Sequence, residues 1–316
     1  MILCCGEALI DMIPRQTRGG GGQEAYVPYS GGSVFNTAIA LGRLGVSAGM
    51  LTGLSADRFG RQLAAELTAS LVDTSYCVTT SRPSTIAVLH MNDGQAAYTF
   101  YDENSALRGI RAQDLRDIGD EVNCLFFGGI SLCHAPAADV LLELAERHAA
   151  RLPVMVAPNI RPGFIRAPDA YRDRLERIIS LASIVKVSEE DLDWIFPEAA
   201  TLQDKIARIL DIGPGLAVLT RGASGVAGFR RDGRLTEAVA HPAEVADTVG
   251  AGDTFNAGFL VKASELGLLT PGALEEAEDS DLAACLAFGA RAVAVTVSRA
   301  GANPPWRHEL KDITGL

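Results

Sequence analysis

Apolar positions change their spacing several times along this chain of 316 residues, and each change predicts an element. Residues 2–6 form an unbroken apolar run, the pattern of a short strand buried on both faces, with 7–11 continuing or following it. An extended segment at 25–29 contains Pro28, which suits an edge strand. Gly31 and Gly32 then open a helix in which Val34, Ala38, Leu41 and Leu44 recur at helical spacing until Gly45, with Ser33 as the expected N-cap. A strand at 50–53 and an amphipathic helix at 58–69 follow. From about residue 76 to 101 the period falls to two, and the runs 85–90 and 97–101 flank Asn92-Asp93-Gly94, a hairpin signal.

Beyond residue 120 strands and helices alternate. Strands are expected at 122–127, 154–157, 184–187 and 216–219, and helices at 137–150, 170–181 and 202–210. A hairpin through 226–240 and helices at 254–266 and 281–292 complete the chain. This rhythm predicts an α/β fold: a mostly parallel central sheet between two helical layers. The early β segments, roughly 13–30 and 82–104, stand outside the rhythm and predict a small β lid, with the glycine run 19–22 as a flexible loop. No repeat or linker divides the chain, so residues 1–316 read as a single domain.

Composition excludes more than it adds. The chain is 48% apolar and 21% charged, ordinary for a globular protein. A net charge of −11 without a basic run argues against a nucleic-acid partner. The N-terminus has no basic segment ahead of an apolar core, so no signal peptide is expected. No apolar run approaches the roughly 20 residues that cross a bilayer, and the longest, 283–297, is broken by Arg291. No membrane partner is therefore expected. The six cysteines form no CxxC pair and read as reduced thiols of a cytoplasmic protein. The five histidines lack metal-ligand spacing, and no GxxxxGK[ST], His-Arg-Asp or GxSxG motif occurs.

The stretch from Asp247 to Leu260 carries the clearest chemistry. Gly250, Ala251 and Gly252 make a tight turn into a helix whose apolar positions are Phe255, Phe259 and Leu260. Free N–H groups and the positive end of the helix dipole would hold an anion there. Asp253 beside such a nest either removes a proton from a substrate hydroxyl or, with Asp247, simply caps the helix. Other polar, glycine-rich segments fall at strand ends, where doubly wound sheets bind ligands. They are Asp11, Gly31-Gly32 with Asn36, Asn159 with Arg161, Lys186 with Ser188 and Asp191, and the loop 220–225.

The run Asp247-Thr248-Val249-Gly250-Ala251-Gly252-Asp253-Thr254-Phe255 closely resembles the C-terminal signature of the ribokinase/PfkB family of sugar kinases. Gly31-Gly32-Ser33-Val34-Phe35-Asn36-Thr37-Ala38 resembles its N-terminal signature, and Gly6 to Asp11 its first strand. The resemblance spans essentially the whole chain. Within the family, the segments 26–36 and 100–104 look most like bacterial fructokinases.

The resemblance implies a ribokinase-like three-layer α/β/α core and ATP-dependent phosphorylation of a sugar. Asp253 would be the general base, and Gly250, Ala251 and Gly252 the anion hole. Asp11, Gly31, Gly32, Asn36, Tyr101 and Arg161 would hold the sugar; Lys186, Ser188, Thr220, Arg221, Gly222 and Gly225 would hold the nucleotide. Mg²⁺ would come with ATP, with Asp191 meeting it through water. Asp247, Val249, Thr296, Arg299 and Gly301 resemble the family's monovalent-cation site, leaving activation by K⁺ open. Two departures stand out: Ser188-Glu189-Glu190-Asp191 replaces an Asn-x-x-Glu element, and Ala157 replaces the first acid of an Asp-Pro-Asn-x-Arg element. Asp102 stands where keto-deoxygluconate kinases carry an arginine, and would repel a carboxylate. A neutral ketohexose, fructose above all, is the expected substrate, with ribose, keto-deoxygluconate or a nucleoside as alternatives. A non-catalytic sugar sensor is the competing reading. The lid's exposed face could close over sugar or pair two copies as a homodimer.

Overall fold

A computed structural model describes residues 1–16, 24–92 and 95–313; the glycine run 19–22 and the 93–94 tip of the expected hairpin lie outside the described residues. In order, the first elements are β1 (Ile2–Cys5), β2 (Leu9–Gln16), β3 (Glu24–Gly31), α1 (Ser33–Arg43), β4 (Ala48–Leu51), β5 (Gly53–Ser55) and α2 (Arg58–Ala69). Then come β6 (Val72–Asp73), β7 (Val78–Thr80), β8 (Thr85–Asn92), β9 (Gln95–Tyr101), β10 (Cys124–Gly128), α3 (Ala137–His148), β11 (Val154–Ala157) and α4 (Pro168–Ser180). The last are β12 (Ile184–Ser188), α5 (Glu189–Ile195), α6 (Leu202–Ile212), β13 (Leu216–Thr220), β14 (Val226–Arg230), β15 (Leu235–Ala238), α7 (Ala251–Glu265), α8 (Ala273–Glu276) and α9 (Asp279–Val297).

The central sheet has nine strands in the order β15-β14-β13-β12-β11-β10-β1-β4-β6. It is parallel from β6 to β13 and antiparallel at β14 and β15. Strand residues alternate between its two faces. Ile2, Cys4, Met50, Phe126 and Val218 pack beneath α1, α2, α7 and α9. Leu3, Cys5, Leu51, Phe127 and Leu219 pack beneath α3, α4, α5 and α6. The adjacent cysteines thus serve opposite faces, and burial pushes both thiols well up. The chain moves outward from β1 to β6 and then returns to β10 on the other side of β1. That reversal opens a crevice at the carboxyl ends of β1 and β10, the usual ligand position in such folds.

The early β segments do pair, as a four-stranded sheet in the order β3-β2-β8-β9, with Pro28 on its edge strand as expected. Three departures from the sequence reading bear on the site and its packing. Residues 189–195, to which the sequence reading assigned no element, form α5, because Ser188 and Asp191 cap it reciprocally. Helix α9 runs five residues past its expected end at 292. By length and mean hydropathy (1.5) α9 would also pass for a membrane span, against the expectation that no segment would. Its apolar residues instead lie against α7, β14 and β15.

Ser33 is the third departure, for it does not cap α1. Gly32 holds the N-cap position at φ 107, which favours glycine, and no side chain caps the helix locally. Glu7 does so from a distance. Its Oε1 accepts the N–H of Ser33 at 3.0 Å and of Val34 at 3.5 Å, and its carbonyl accepts Phe35 N–H at 3.1 Å.

Helices α7 and α9 meet through glycines, and this contact fixes where α7 starts. A Cβ on Gly258 would lie 2.8 Å from Gly289 Cα, and one on Gly289 would lie 2.8 Å from the Phe255 ring. Gly258→Ala must therefore push the helices apart. The expected cost is about 1–3 kcal/mol by chemical denaturation; a change below about 0.5 kcal/mol would show that the interface yields freely.

Candidate active site

Helix α7 begins at Ala251 with Gly250 as its cap in the left-handed conformation, φ 76, and no side chain bonds its first turn. The capping reading of the acids therefore fails for both. Asp247 accepts N–H groups from Val249 at 3.0 Å and Gly301 at 2.9 Å. Asp253 faces α1 instead. Its Oδ1 accepts the Ser33 hydroxyl at 2.6 Å and its Oδ2 the Asn36 amide at 2.9 Å. Thr37 donates to the Asp253 carbonyl at 3.4 Å and, more closely, to Ser33 O at 2.9 Å. Ser33, Asn36 and Thr37 are spaced i, i+3, i+4, so one stripe of α1 cradles this one residue.

Asp253 is only 9% exposed. Burial raises its pKa, and Ser33, Asn36, Lys186 and Arg161 oppose that rise without cancelling it. The Lys186 ammonium lies beside the same helix start, 3.1 Å from where a Cβ on Gly252 would stand. Burial lowers the Lys186 pKa, while Asp191 and Asp253 hold it up. The Ala251 N–H is taken by Thr248 O at 3.2 Å, so the N–H groups of Gly250 and Gly252 and the buried Lys186 cation are what suit an anion here.

Asp11 approaches from β2. A Cβ on Gly31 would lie 2.1 Å from its Oδ2, so a larger residue there would displace this carboxylate. Burial and the nearby Asp253 charge push Asp11 up to about 6. Glu7, 1% exposed, completes a trio of carboxylates, and burial raises its pKa as well. No motif pointed to Glu7; an acid directly after a buried strand was its only signal.

On the far side, Asn159 leaves β11 at φ 45. Asp191 ties this loop down: Oδ1 accepts Ile160 N–H at 2.7 Å, and Oδ2 accepts the Ser188 N–H and hydroxyl, each at 2.9 Å. Ser188 and Asp191 are thus engaged with each other. The Arg161 guanidinium donates to Ile160 O at 3.0 Å while its charge bears on Asp253. Tyr101 ends β9 at 59% exposure.

A cleft of about 530 Å³, within the size range of small-ligand sites, opens on the other side of Gly252. Thr220, Gly222 and Gly225 line it with Val226, His241, Thr248, Phe255 and Val297, a largely apolar wall suited to a flat heterocycle. Gly225 cannot be replaced simply, because its φ is 89 and a Cβ would lie 2.4 Å from Ala238 O. Arg221, expected here, pairs with Glu237 at 2.7 Å instead. The wall supplied by 240–245 and α9 carries no motif and was not foreseen.

The residues proposed for a monovalent cation are only partly assembled. Each Asp247 oxygen already accepts one N–H, leaving further lone pairs. The Thr296 hydroxyl is buried against Thr254 at 2.9 Å, its carbonyl accepts Arg299 N–H at 3.1 Å, and the Arg299 side chain pairs with Glu309 at 2.5 Å. Val249 is 48% exposed. Among the described residues no three His, Cys, Asp or Glu side chains form a metal cage.

Because burial is the larger cause of the Asp11 shift, Asp253→Asn should lower the Asp11 midpoint below about 6 without restoring an ordinary carboxylate value. A ¹³C-carboxyl NMR titration reads this directly, and an unmoved midpoint would show that the two acids do not sense each other.

Comparison with known proteins agrees with this geometry. Residues 1–309 match the pfkB family of carbohydrate kinases. Over 273 residues, 85% of this chain and 82% of the relative, the sequence is 46% identical to a fructokinase of Rhizobium leguminosarum bv. trifolii. It is 31% identical over 261 residues to a fructokinase of Klebsiella pneumoniae, covering 81% of each. The fold is similar to that of a Xylella fastidiosa fructokinase with bound ATP, with a TM-score of 0.88 at 28% identity over 98% of this chain and 97% of that one. The chain belongs to the pfkB family of carbohydrate kinases.

Proposed function

We propose that this chain transfers the γ-phosphoryl group of Mg·ATP to the primary hydroxyl of fructose, giving fructose 6-phosphate and ADP. The observation that carries the reading is the position of Asp253. It lies at the start of α7, with Asp11 on one side and the apolar cleft beside Gly252 on the other. Sugar would occupy the Asp11 side under the four-stranded sheet, acting as a lid, and nucleotide the cleft.

The sugar hydroxyl gives its proton to Asp253 as its oxygen bonds to the γ-phosphorus and the bond to the ADP oxygen breaks. The raised pKa of Asp253 makes it a better acceptor for a proton that leaves late. Lys186 and the N–H groups of Gly250 and Gly252 neutralise charge on the moving group. Mg²⁺ arriving with ATP would neutralise further charge on the phosphates, and Asp191, whose oxygens already accept from Ile160 and Ser188, would meet it through water. A K⁺ ion would be held at Asp247 through the spare lone pairs of its carboxylate. Six unpaired cysteines, five of them buried, suit a reducing cytoplasm.

One observation favours a second reading. Asp102, expected to repel an acidic sugar, is 5% exposed and turned inward. It accepts from Ser105 at 3.0 Å and Thr85 at 3.2 Å, with Arg108 and His134 each 3.7 Å away. Its charge is thus compensated, and keto-deoxygluconate stays in contention.

An ADP-release assay with Mg·ATP separates the substrates. Turnover on fructose should exceed that on ribose, keto-deoxygluconate and adenosine; turnover on another with none on fructose would overturn the substrate. Asp253→Ala should lower kcat by about 10²–10⁴-fold with sugar binding largely intact. Wild-type turnover in that variant would remove the base, and binding of fructose without any turnover in the unaltered chain would favour a sensor.

A further inference from the structure

We propose that Ser33 is a positioning residue for catalysis: its hydroxyl fixes the orientation of the Asp253 carboxylate and keeps it in the ionised form that accepts the sugar proton. This rests on the reading of Asp253 as the base. A serine at a helix start is ordinarily an N-cap. Here that role is taken, because Glu7 receives the first N–H groups of α1 and Gly32 holds the cap position. The Ser33 hydroxyl is left to donate across 220 residues of sequence to Asp253 Oδ1 at 2.6 Å. Ser33 is 8% exposed, so little water can replace that bond.

The backbone of Ser33 is held as firmly as its side chain. Its N–H is bonded to Glu7 Oε1, and Glu7 is anchored in turn by Ser131 N–H at 3.2 Å. A Cβ on Gly129 would lie 1.9 Å from Glu7 Oε1, so the wall behind Glu7 is closed. The line Glu7, Ser33, Asp253 therefore runs from the crevice between β1 and β10 to the reacting centre. Ser33 and Asn36 use one lone pair on each Asp253 oxygen, leaving others for a substrate hydroxyl. With both donors in place the carboxylate plane is set before the sugar arrives.

The charged groups around Asp253 come from four elements: Asp11 on β2 and Glu7 after β1 oppose its ionisation, while Lys186 on β12 and Arg161 after β11 favour it. Ser33 contributes on the side of ionisation without carrying charge. Removing a donor to an ionised group raises that group's pKa, so loss of Ser33 moves the acid limb of kcat/KM to higher pH.

The test uses the full-length chain with Mg·ATP and fructose varied from well below to well above KM across the pH range. Ser33→Ala should shift the acid limb up by about one pH unit and lower kcat about tenfold. KM for fructose should stay within about twofold, since Ser33 meets the base rather than the sugar. Ser33→Thr, which keeps the hydroxyl, should restore most of the limb. An Ala variant with an unmoved limb and unreduced kcat would overturn the proposal, as would equal loss in Ala and Thr. If Ser33→Ala fails to fold by circular dichroism, Ser33→Cys, whose S–H is a weak donor, gives the same readings with a smaller shift. Retained turnover in Asp253→Ala would instead bring down the base itself, so the two failures are distinguishable.

Discussion

Two buried carboxylates, Glu7 and Asp253, and a half-buried third, Asp11, stand around the start of α1, and the cost of keeping them there shapes the rest of the site. Burying an acid without compensation raises its pKa until it takes a proton. Glu7 is compensated by three N–H contacts, and Asp253 by a hydroxyl, an amide and two nearby cations. Asp11 has no such set and rises to about 6. The glycines follow from this crowding. Gly31 leaves room for Asp11 and Gly129 for Glu7, while Gly32 permits the turn between them.

The two helix starts at the crevice are consequently unlike. That of α1 is filled by Glu7 and has no donors left for a ligand. That of α7 ends on Gly250 with no side-chain cap, beside Lys186, and remains open to an anion. Under the proposed function this asymmetry would give the centre a direction: acceptor and base on the α1 side, phosphoryl on the α7 side. The α7–α9 glycine contact keeps the second start in register with the first, since α7 is pressed between α1 and α9.

Much of this was legible in the chain. Parallel strands buried on both faces leave unbroken apolar runs, so β1, β11, β12 and β13 could be found within a residue or two. The Gly-Ala-Gly-Asp turn could be read as a tight entry into a helix because its geometry is local. What escaped depends on distance. Ser33 reads as a cap until Glu7, 26 positions away, is seen to occupy that role, and its real partner lies 220 positions on. Asp102 reads as a repulsive charge until Thr85, Ser105, Arg108 and His134 are folded around it. Helix α5 was missed because its residues 189–191 are all acidic; such a run favours a helix start through the dipole, yet on its own reads as a polar loop.

The departures at Ala157 and Ser188 gain a common explanation from packing. Ala157 ends β11, 2% exposed, with its carbonyl 2.3 Å from where a Cβ on Gly128 would stand. The end of β11 is therefore pressed against β10. The loop beyond it still needs a fixed anchor, because Asn159 turns left-handed there and Arg161 acts on Asp253. Asp191 supplies that anchor from the neighbouring strand's helix, taking the Ile160 N–H with one oxygen and Ser188 with the other. The loop thus keeps a carboxylate tie in the absence of an acid at 157. Asp191's short side chain reaches both partners only because Ser188 lies directly at the cap, so the two departures are one arrangement.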